Sequence, residues 1–325
     1  MKMVLRILGG LLALLVLVVV CTYAWAAHKS STLLARTFTV HSVDFPIPFP
    51  LPDTEVARLK ISKDSADHLA RARAIERGQH LVESRYPCRE CHGKNFGGGT
   101  MVDNAAIGHL LAPNITLGRG SLTTNFKAAD WDHIVRHGVL PDGRPAVMPS
   151  EDFQNLSDQE LSDVIAFIRS NPPVDSVVPP IRTGPVGKLL LATGKIQLAA
   201  DLIKNHNGTH AVYPPATEAT AEFGKHLATF CSGCHRADFS GGPIPGGDPS
   251  WPPSKDLTPH PQALGRWNFD QFKATLRTGT RPDGTKLLAP MSGIAAYAQK
   301  MSDVELEALW KYLQSLPPIA PQATK

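Results

Sequence analysis

The chain has 325 residues, 42% of them hydrophobic and 19% charged, a composition typical of folded proteins that excludes a disordered polymer. The net charge of +4 is small, and no run of lysine and arginine predicts a nucleic-acid partner. Five cysteines in this length are too few for a small disulfide-stapled domain.

The first predicted element is an apolar helix near the N-terminus. Lys2 and Arg6 precede residues 7–27, which contain no charged side chain. About 20 such residues span a bilayer as a helix, and basic residues ahead of the run favour the cytoplasmic side. We therefore expect residues 1–28 to form a membrane anchor that places the rest of the chain on the exported side. The alternative is a cleaved signal peptide, because Ala24-Trp25-Ala26 resembles a cleavage site.

A proline-rich segment follows the anchor. Proline alternates with apolar residues over positions 43–53 (VDFPIPFPLPD), a pattern typical of an extended, polyproline-like chain. Composition alone favours a spacer between the membrane and the first domain. We assign residues 29–65 to this arm.

Two Cys-x-x-Cys-His motifs carry the chemistry, at residues 88–92 (CRECH) and 231–235 (CSGCH). Two thiols on one side of a helix end can bond the two vinyl groups of a haem while the adjacent imidazole reaches its iron, and this motif signals c-type haem attachment. A shared zinc site is disfavoured because the motifs are 143 residues apart, and a thioredoxin-type dithiol needs no histidine at this place. The residues predicted to hold two covalent haem c groups are Cys88, Cys91, His92, Cys231, Cys234 and His235.

The two motifs belong to an internal repeat. Predicted helices at 66–84 and 217–230 lead into them. Each half closes with a helix that begins at an S-x-x-E capping box and stops at a pair of prolines. The residues of these signals are Ser157, Glu160 and Pro172-Pro173 in the first half, and Ser302, Glu305 and Pro317-Pro318 in the second.

The repeat predicts a mainly α fold with two tandem helical domains after the N-terminal transmembrane helix. We place the first domain at 66–178 and the second at 216–318, with a linker at 179–215 and a tail at 319–325. One short helix is expected in the linker, around 186–203. Neither half shows a period-2 strand pattern, so we expect no sheet.

A methionine occupies the same place in each half. Met148 lies 56 residues after His92, and Met291 lies 56 residues after His235, each in a predicted loop before the last helix. A thioether from such a loop can reach the haem face opposite the histidine, and His/Met ligation leaves no iron position open for a substrate. We expect Met148 and Met291 to complete the ligation of both irons.

Bis-histidine ligation is the alternative. The rival ligands are expected to have no matched counterpart in the other half, and they are Met101, His109, His133, His137, His226 and His260. Arg136 and Arg277 do match, and guanidinium groups suit carboxylates, so both are candidate partners for haem propionates.

These segments together resemble the membrane-anchored dihaem c-type cytochromes of the bacterial class I cytochrome c superfamily. The resemblance covers essentially the whole chain, through CRECHGKNFGGG, APNIT and RHGVLPDGRPAVMPSEDF in the first half and CSGCHRADFSGG, DLTPHP and LRTGTRPDGT in the second. It implies two small helical cytochrome c folds, whose first and last helices cross near Gly78 and Gly224. It also implies a location in the bacterial inner membrane, with both domains in the periplasm. The third CxxCH motif common in cytochrome subunits of membrane alcohol dehydrogenases does not occur in this sequence.

The leading hypothesis is an electron carrier rather than an enzyme, passing electrons between redox donor and acceptor proteins of a membrane respiratory chain. A dihaem redox enzyme is the second hypothesis. A peroxidase needs an open iron, whereas a thiosulfate-oxidising cytochrome would use a cysteine ligand, and the only spare thiol is Cys21 in the membrane run. The third hypothesis is a cytochrome subunit of a larger dehydrogenase or oxidase, in which the electron transfer is the same.

Overall fold

The computed structural model describes residues 1–245, 247–248 and 250–320, which are mainly helical, as predicted. The helices are α1 (Lys2–Ala35), α2 (Asp53–Leu59), α3 (Lys63–Ser84), α4 (Cys88–His92), α5 (Ala128–His137), α6 (Asp158–Ser170), α7 (Pro185–Ala192), α8 (Ala199–Leu202), α9 (Ala221–Ala228), α10 (Ser232–His235), α11 (Phe269–Thr278), α12 (Met291–Ala298) and α13 (Asp303–Ser315). The strands are β1 (Gly99–Asn104), β2 (Gly108–Ala112) and β3 (Arg182–Thr183). Single 3₁₀ turns lie at Ser150–Asp152, Thr229–Cys231 and Leu264–Arg266.

The apolar helix α1 runs past the predicted end of the anchor at residue 28. Residues 28–35 contain neither proline nor glycine, so the helix continues to Ala35. Its most apolar 18-residue window has a mean hydropathy of 2.8 and is not covered by the rest of the described chain, which makes α1 long and apolar enough to span a bilayer. Its last turns pack against α7, and Lys188 Nζ donates to Tyr23 Oη at 3.3 Å.

The proline-rich segment is extended from residue 36 to residue 52, as predicted, but the ends of the arm assigned to 29–65 are helical and belong to α1, α2 and α3. The segment is also more than a spacer. Phe45 and Phe49 are buried in the core of the first half, and Ser162 Oγ on α6 donates to the Pro46 carbonyl oxygen at 2.7 Å. Burying each aromatic side chain contributes about 1.5–3 kcal/mol toward ordering the segment. The arm is therefore part of the packing of the first half.

In each half, the first long helix crosses the last one at a glycine, as the resemblance implied. A Cβ atom at Gly78 on α3 would overlap the carbonyl oxygen of Asp163 on α6, and one at Gly224 on α9 would overlap that of Ala308 on α13. The predicted capping boxes are present at the start of α6 and of α13. Each crossing packs on its own apolar core. Leu161 lies in the first core, and residues of α9 and α13 lie in the second.

A small sheet contradicts the expectation of no strands. β1 and β2 form an antiparallel hairpin, and β3 from the linker adds a short third strand. Most of β1 is exposed, so no alternation of apolar and polar residues marks it in the sequence. The turn closes locally, because Asn104 Oδ1 accepts from the backbone N–H groups of Ala106 and Ile107.

The linker also differs from the single short helix predicted around 186–203. It forms two helices, α7 and α8, separated by a turn. Gly194 in that turn has a φ of +70°, a left-handed conformation that ends a helix and that glycine adopts without strain.

Candidate haem sites

The first CxxCH motif forms the short helix α4, soon after the end of α3. The partly buried Cys88 packs against the first core. The Nδ1–H of His92 donates to the Pro113 carbonyl oxygen at 2.9 Å, which leaves the lone pair of Nε2 free. Burial lowers the pKa of His92 and keeps the ring neutral. An imidazole held in this way is oriented like those of metal-bound histidines.

The second motif reproduces this arrangement. Cys231 packs against the second core, and the Nδ1–H of His235 donates to the Lys255 carbonyl oxygen at 2.6 Å. Burial lowers the pKa of His235 as well. Sequence reasoning missed Pro113 and Lys255, because a backbone carbonyl carries no residue signature.

The motif cysteines have raised pKa values, unlike the lowered values of reactive thiols. All four motif thiols are free, and burial raises the pKa of Cys88 and of Cys231 to about 12. Reactive dithiols and zinc thiolates have lowered pKa values instead. Two free thiols beside an imidazole with a free Nε2 are the donor set of a covalent haem site, so both motifs fit haem c.

The loop after each motif is strained in the same way. Phe96 and Phe239 both have a φ of 60°, which is uncommon and costly for a bulky side chain. Each is held there by its carbonyl oxygen, which accepts from Ile115 N at 3.0 Å in the first half and from Leu257 N at 2.9 Å in the second. Such strain concentrates at functional sites, and here it recurs at both motifs.

Both predicted methionine ligands lie next to the core of their own half. Met148 and Met291 are half-buried and pack against the first and second core respectively. Met148 lies in a loop, as predicted, whereas Met291 is the first residue of α12. The reason is the alanine-containing segment MSGIAAYA after Pro290, which favours a helix. The ligation of iron by either methionine stays a prediction.

The rival histidines are engaged elsewhere in the chain. His109 Nδ1 contacts Asp103 at 2.5 Å, His133 Nε2 donates to the His41 carbonyl oxygen at 3.0 Å, and His260 Nδ1 accepts from Gln262 N at 3.2 Å. These contacts favour the methionines over the histidines as the second ligands of the irons.

Arg136, a candidate partner for a haem propionate, is already paired with carboxylates of its own domain, and its propionate role stays a prediction. This side chain is fully buried and donates from Nε to Asp132 Oδ1 at 2.6 Å, because Asp132 lies one helical turn earlier on α5. Arg277 is tied within its own half too, with Nη2 at 3.0 Å from Asp303 Oδ1 and Nη1 bonded to the Ala298 carbonyl oxygen.

The two halves meet directly beside both motifs. Tyr86, two residues before Cys88, contacts Phe153 and Phe230, with ring centroids 5.8 and 6.3 Å apart. Phe230 comes from the second half and immediately precedes Cys231. One aromatic cluster therefore lies next to the first cysteine of each motif.

The segment after each methionine contacts the motif of the other half. Tyr297 on α12 donates from its hydroxyl to Glu90 Oε1, inside the first motif, at 2.7 Å. Asp152, just after Met148, lies so close to Gly233 in the second motif that a Cβ atom there would collide with its carboxylate. These contacts are reciprocal, so each half completes the surroundings of the other half's motif.

A reciprocal exchange of contacts also joins the halves: a histidine of each half contacts a glutamate of the other. His80 Nε2 lies 2.9 Å from Glu305 Oε1, and His226 Nε2 lies 2.8 Å from Glu160 Oε1. Arg85 bridges both carboxylates, at 3.2 Å from Glu160 and 2.5 Å from Glu305. Burial alone would raise the pKa of Glu305, but the contacts from His80 and Arg85 outweigh it and hold the pKa at about 2.

This exchange corrects the expectation that His226 has no counterpart. His80 follows Gly78 by two residues, as His226 follows Gly224. The two glutamates were recognised in the sequence only as helix caps. Their second role was missed, although two histidines at matched repeat positions were a signal for it.

Comparison with known proteins agrees with this geometry. Residues 73–168 match the family of cytochrome c oxidase, cbb3-type, subunit III, and residues 221–317 match the cytochrome c family. The cytochrome c subunit of alcohol dehydrogenase (quinone) from Gluconacetobacter polyoxogenes is 26% identical over 251 residues, covering 71% of this chain and 52% of that protein. The gluconate 2-dehydrogenase cytochrome c subunit of Pantoea cypripedii is 27% identical over 289 residues, covering 77% and 61%. The fructose dehydrogenase cytochrome subunit of Gluconobacter japonicus is 24% identical over 265 residues, covering 75% and 53%.

The chain therefore belongs to the c-type cytochromes and carries two cytochrome c domains in tandem. Domains of this kind bind haem c covalently. The similar proteins are cytochrome subunits of dehydrogenases, that is, electron carriers rather than catalytic subunits. The chain spans about half to three-fifths of the length of these relatives.

Proposed function

We propose that the chain is a two-haem electron carrier, the cytochrome subunit through which a membrane-bound dehydrogenase passes its electrons onward. The observation that carries this proposal is the pair of CxxCH motifs, each with a free imidazole Nε2, held against one another by reciprocal contacts. Haem c supplies one-electron redox chemistry when bound at such motifs.

Each motif supplies an anchor and an oriented ligand. The two thiols of a motif would bond the haem, and its histidine and the matched methionine, Met148 or Met291, would ligate the iron. The carbonyl oxygens of Pro113 and Lys255 fix the tautomers of His92 and His235. A histidine and a methionine on each iron would leave no position for a substrate, so the haem would supply electron transfer alone.

The contact between the domains fixes the position of one haem-attachment motif relative to the other. The aromatic cluster of Tyr86, Phe153 and Phe230 packs between the motifs and excludes water there. The buried bridge of Arg85 to Glu160 and Glu305 resists sliding of one domain over the other, because a displaced carboxylate would leave a buried guanidinium unpaired.

The proposed partner is a dehydrogenase for a small hydroxylated substrate, because the relatives' names specify alcohol, gluconate and fructose. We place both domains in the periplasm, behind α1 as an anchor in the inner membrane. The basic residues Lys2 and Arg6 ahead of the apolar run support this orientation.

The test uses membranes of the producing bacterium that contain the full chain or a quadruple Cys→Ser variant of both motifs. Ethanol, gluconate and fructose are added in turn while the absorption of reduced haem is recorded. We expect one of them to reduce the haem of the wild-type chain and to give no such signal with the variant. The proposal fails if dithionite reduces the haem but none of the three substrates does, or if the purified chain turns over peroxide or thiosulfate faster than free haem.

A further inference from the structure

A cluster of imidazoles and one carboxylate lies in the first half, where three parts of the chain meet. His41 comes from the proline-rich arm, Asp132 and His137 from α5, and His206 and His210 from the linker. Asp132 and His137 are almost completely buried. Neither the aromatic cluster nor the CxxCH motifs use these residues.

The hydrogen bonds in the cluster determine where the lone pair of His137 points. His206 Nε2 faces the Ala200 carbonyl oxygen at 3.0 Å and must donate, so its Nδ1 is an acceptor in the neutral ring. That Nδ1 lies 3.3 Å from His137 Nδ1, which must therefore carry the proton. The Nε2 atom of neutral His137 is left with a lone pair.

His41 and Asp132 turn further lone pairs toward the same point. The Nδ1–H of His41 donates to the His206 carbonyl oxygen at 2.9 Å, so its Nε2 is an acceptor, and that atom is buried without any hydrogen-bond partner. Asp132 Oδ1 takes the bond from Arg136, while Asp132 Oδ2 is buried and also lacks a partner. Two of these buried acceptors, His41 Nε2 and Asp132 Oδ2, have no donor, while His137 Nε2 pairs with His210 Nε2 at 3.2 Å. Unpaired buried acceptors cost free energy, and a cation bound between them would offset that cost.

Four candidate ligand groups converge here, most of them at spacings somewhat wider than those around a bound tetrahedral ion. One ligand atom from each of His41, Asp132 and His137 lies within 4.8 Å of the other two. His210 Nε2 approaches His137 Nε2 at 3.2 Å and Asp132 Oδ1 at 3.8 Å. Zinc–nitrogen bonds of about 2.0–2.1 Å place tetrahedral ligands about 3.3 Å apart, close to the spacing of the two Nε2 atoms.

The charge of the surroundings also favours a cation. Two carboxylates, Asp132 and Asp158, face the single guanidinium of Arg136, which lies 2.6 Å from the first and 2.8 Å from the second. With neutral imidazoles this group carries one net negative charge.

We propose that His41, His137, His210 and Asp132 bind one Zn²⁺ ion. Three imidazoles and a carboxylate are a ligand set that zinc accepts in tetrahedral geometry. The ion fastens the arm behind the membrane helix and the inter-domain linker to α5. His206 and its carbonyl partner Ala200 orient His137 from behind, as the outer ligands of metal sites do.

The experiment uses the full-length holo-protein in detergent, purified without a histidine tag. The protein is stripped with a chelator, which leaves covalent haem in place, and then dialysed against micromolar ZnCl₂. Zinc and iron are measured together by plasma mass spectrometry. We expect about one zinc per chain, from the four-ligand site argued above.

The variant to compare is His41→Gln, because His41 is only partly buried and lies on the arm, so its loss does not open the core. We expect its zinc affinity to fall by at least about 10–100-fold. The matched control is His68→Gln, an exposed histidine on α3 outside the cluster, which should bind zinc like the wild type. An unchanged haem spectrum checks that both variants fold.

A second readout is thermal unfolding, since an ion that binds only the folded chain raises its midpoint. The midpoint should rise with zinc in the wild type and in His68→Gln but not in His41→Gln. The proposal is overturned if the stripped wild type takes up no zinc, or if His41→Gln binds it as tightly as the control.

Discussion

Arg136 and Arg277 occupy matched positions of the two domains, yet the first is fully buried and the second is 26% exposed at its side chain. Asp132 stands four residues before Arg136, whereas Lys273 stands four residues before Arg277. The arm and the linker also cover α5 in the first domain, as the contacts of His41 and His206 near its end show. The same repeat position therefore belongs to a buried charged cluster in one domain and to a surface ion pair in the other.

Around the motifs the two domains agree. Each has a histidine that donates to a backbone carbonyl oxygen, a phenylalanine in the left-handed region and a glycine at the helix crossing. The comparison separates two kinds of position. The motif histidines, the left-handed phenylalanines and the crossing glycines are matched in both halves, whereas the buried charged cluster that the arm and the linker cover belongs to the first half.

The largest expected effect concerns haem content. Cys88→Ser with Cys91→Ser should remove the haem of the first domain only, and Cys231→Ser with Cys234→Ser that of the second, because each motif has its own thiols and core. Haem per chain, measured by haem absorbance against protein mass, should fall by half in either variant. Loss of both haems in one variant would show that the domains do not bind haem independently.

The next effect concerns the helix crossings. Gly78→Ala and Gly224→Ala should each lower the free energy of unfolding by about 3 kcal/mol, because the added Cβ collides with a backbone carbonyl oxygen. Denaturant unfolding of the holo-protein measures the loss. Glu76→Ala, at an exposed position of α3, serves as the control and should change stability by less than about 0.5 kcal/mol. Equal behaviour of Gly78→Ala and this control would contradict the close crossing.

A smaller effect comes from the ion pairs between the domains. The pKa of Glu305 is depressed to about 2, so its contribution to stability is complete above its ordinary pKa of 4.5 and is lost as the pH falls from 4.5 toward 2. Glu305→Gln should lower the free energy of unfolding at pH 7 by about 2 kcal/mol and flatten the pH dependence in that window. Urea unfolding between pH 2 and pH 7 measures both.

Glu160→Gln is the matched change on the other side of the reciprocal exchange. The pKa of Glu160 is also lowered, because contacts from His226 and Arg85 outweigh the effect of burial. The same loss is therefore expected in this variant. A pH profile unchanged by either substitution would contradict the role of the exchange.

The smallest effect is that of the contact between α12 and the first motif. Tyr297→Phe removes the hydroxyl that donates to Glu90 and should cost about 0.5–1 kcal/mol, since the pair is partly exposed. A double-mutant cycle with Glu90→Gln isolates this term. A coupling energy of zero would show that this hydrogen bond adds no stability, and the aromatic cluster would then be the main contact between the domains beside the motifs.

The motif chemistry and the starts of the last helix of each half could be predicted because they depend on side chains at fixed spacing. CxxCH and the capping boxes are such signals, whereas the crossing glycines were implied by the resemblance. The carbonyl partners of His92 and His235 and the hairpin at β1 and β2 could not be predicted, and the reciprocal His–Glu pairs were signalled only by two histidines at matched repeat positions. They depend on backbone groups, on a surface strand without alternation, or on how the two domains pack. The burial of Arg136 could not be predicted for the same reason, since it depends on the covering arm.

The central claim is that two haems, each ligated by a histidine and a methionine, are bound to one chain. Near-infrared absorption of the oxidised holo-protein tests it, because the sulfur-to-iron band reports methionine ligation. The band should correspond to two haems in the wild type and fall by half in Met148→Leu and in Met291→Leu, while Met101→Leu leaves it unchanged. Absence of the band in the wild type, or a band that neither Met148→Leu nor Met291→Leu reduces, would contradict the account.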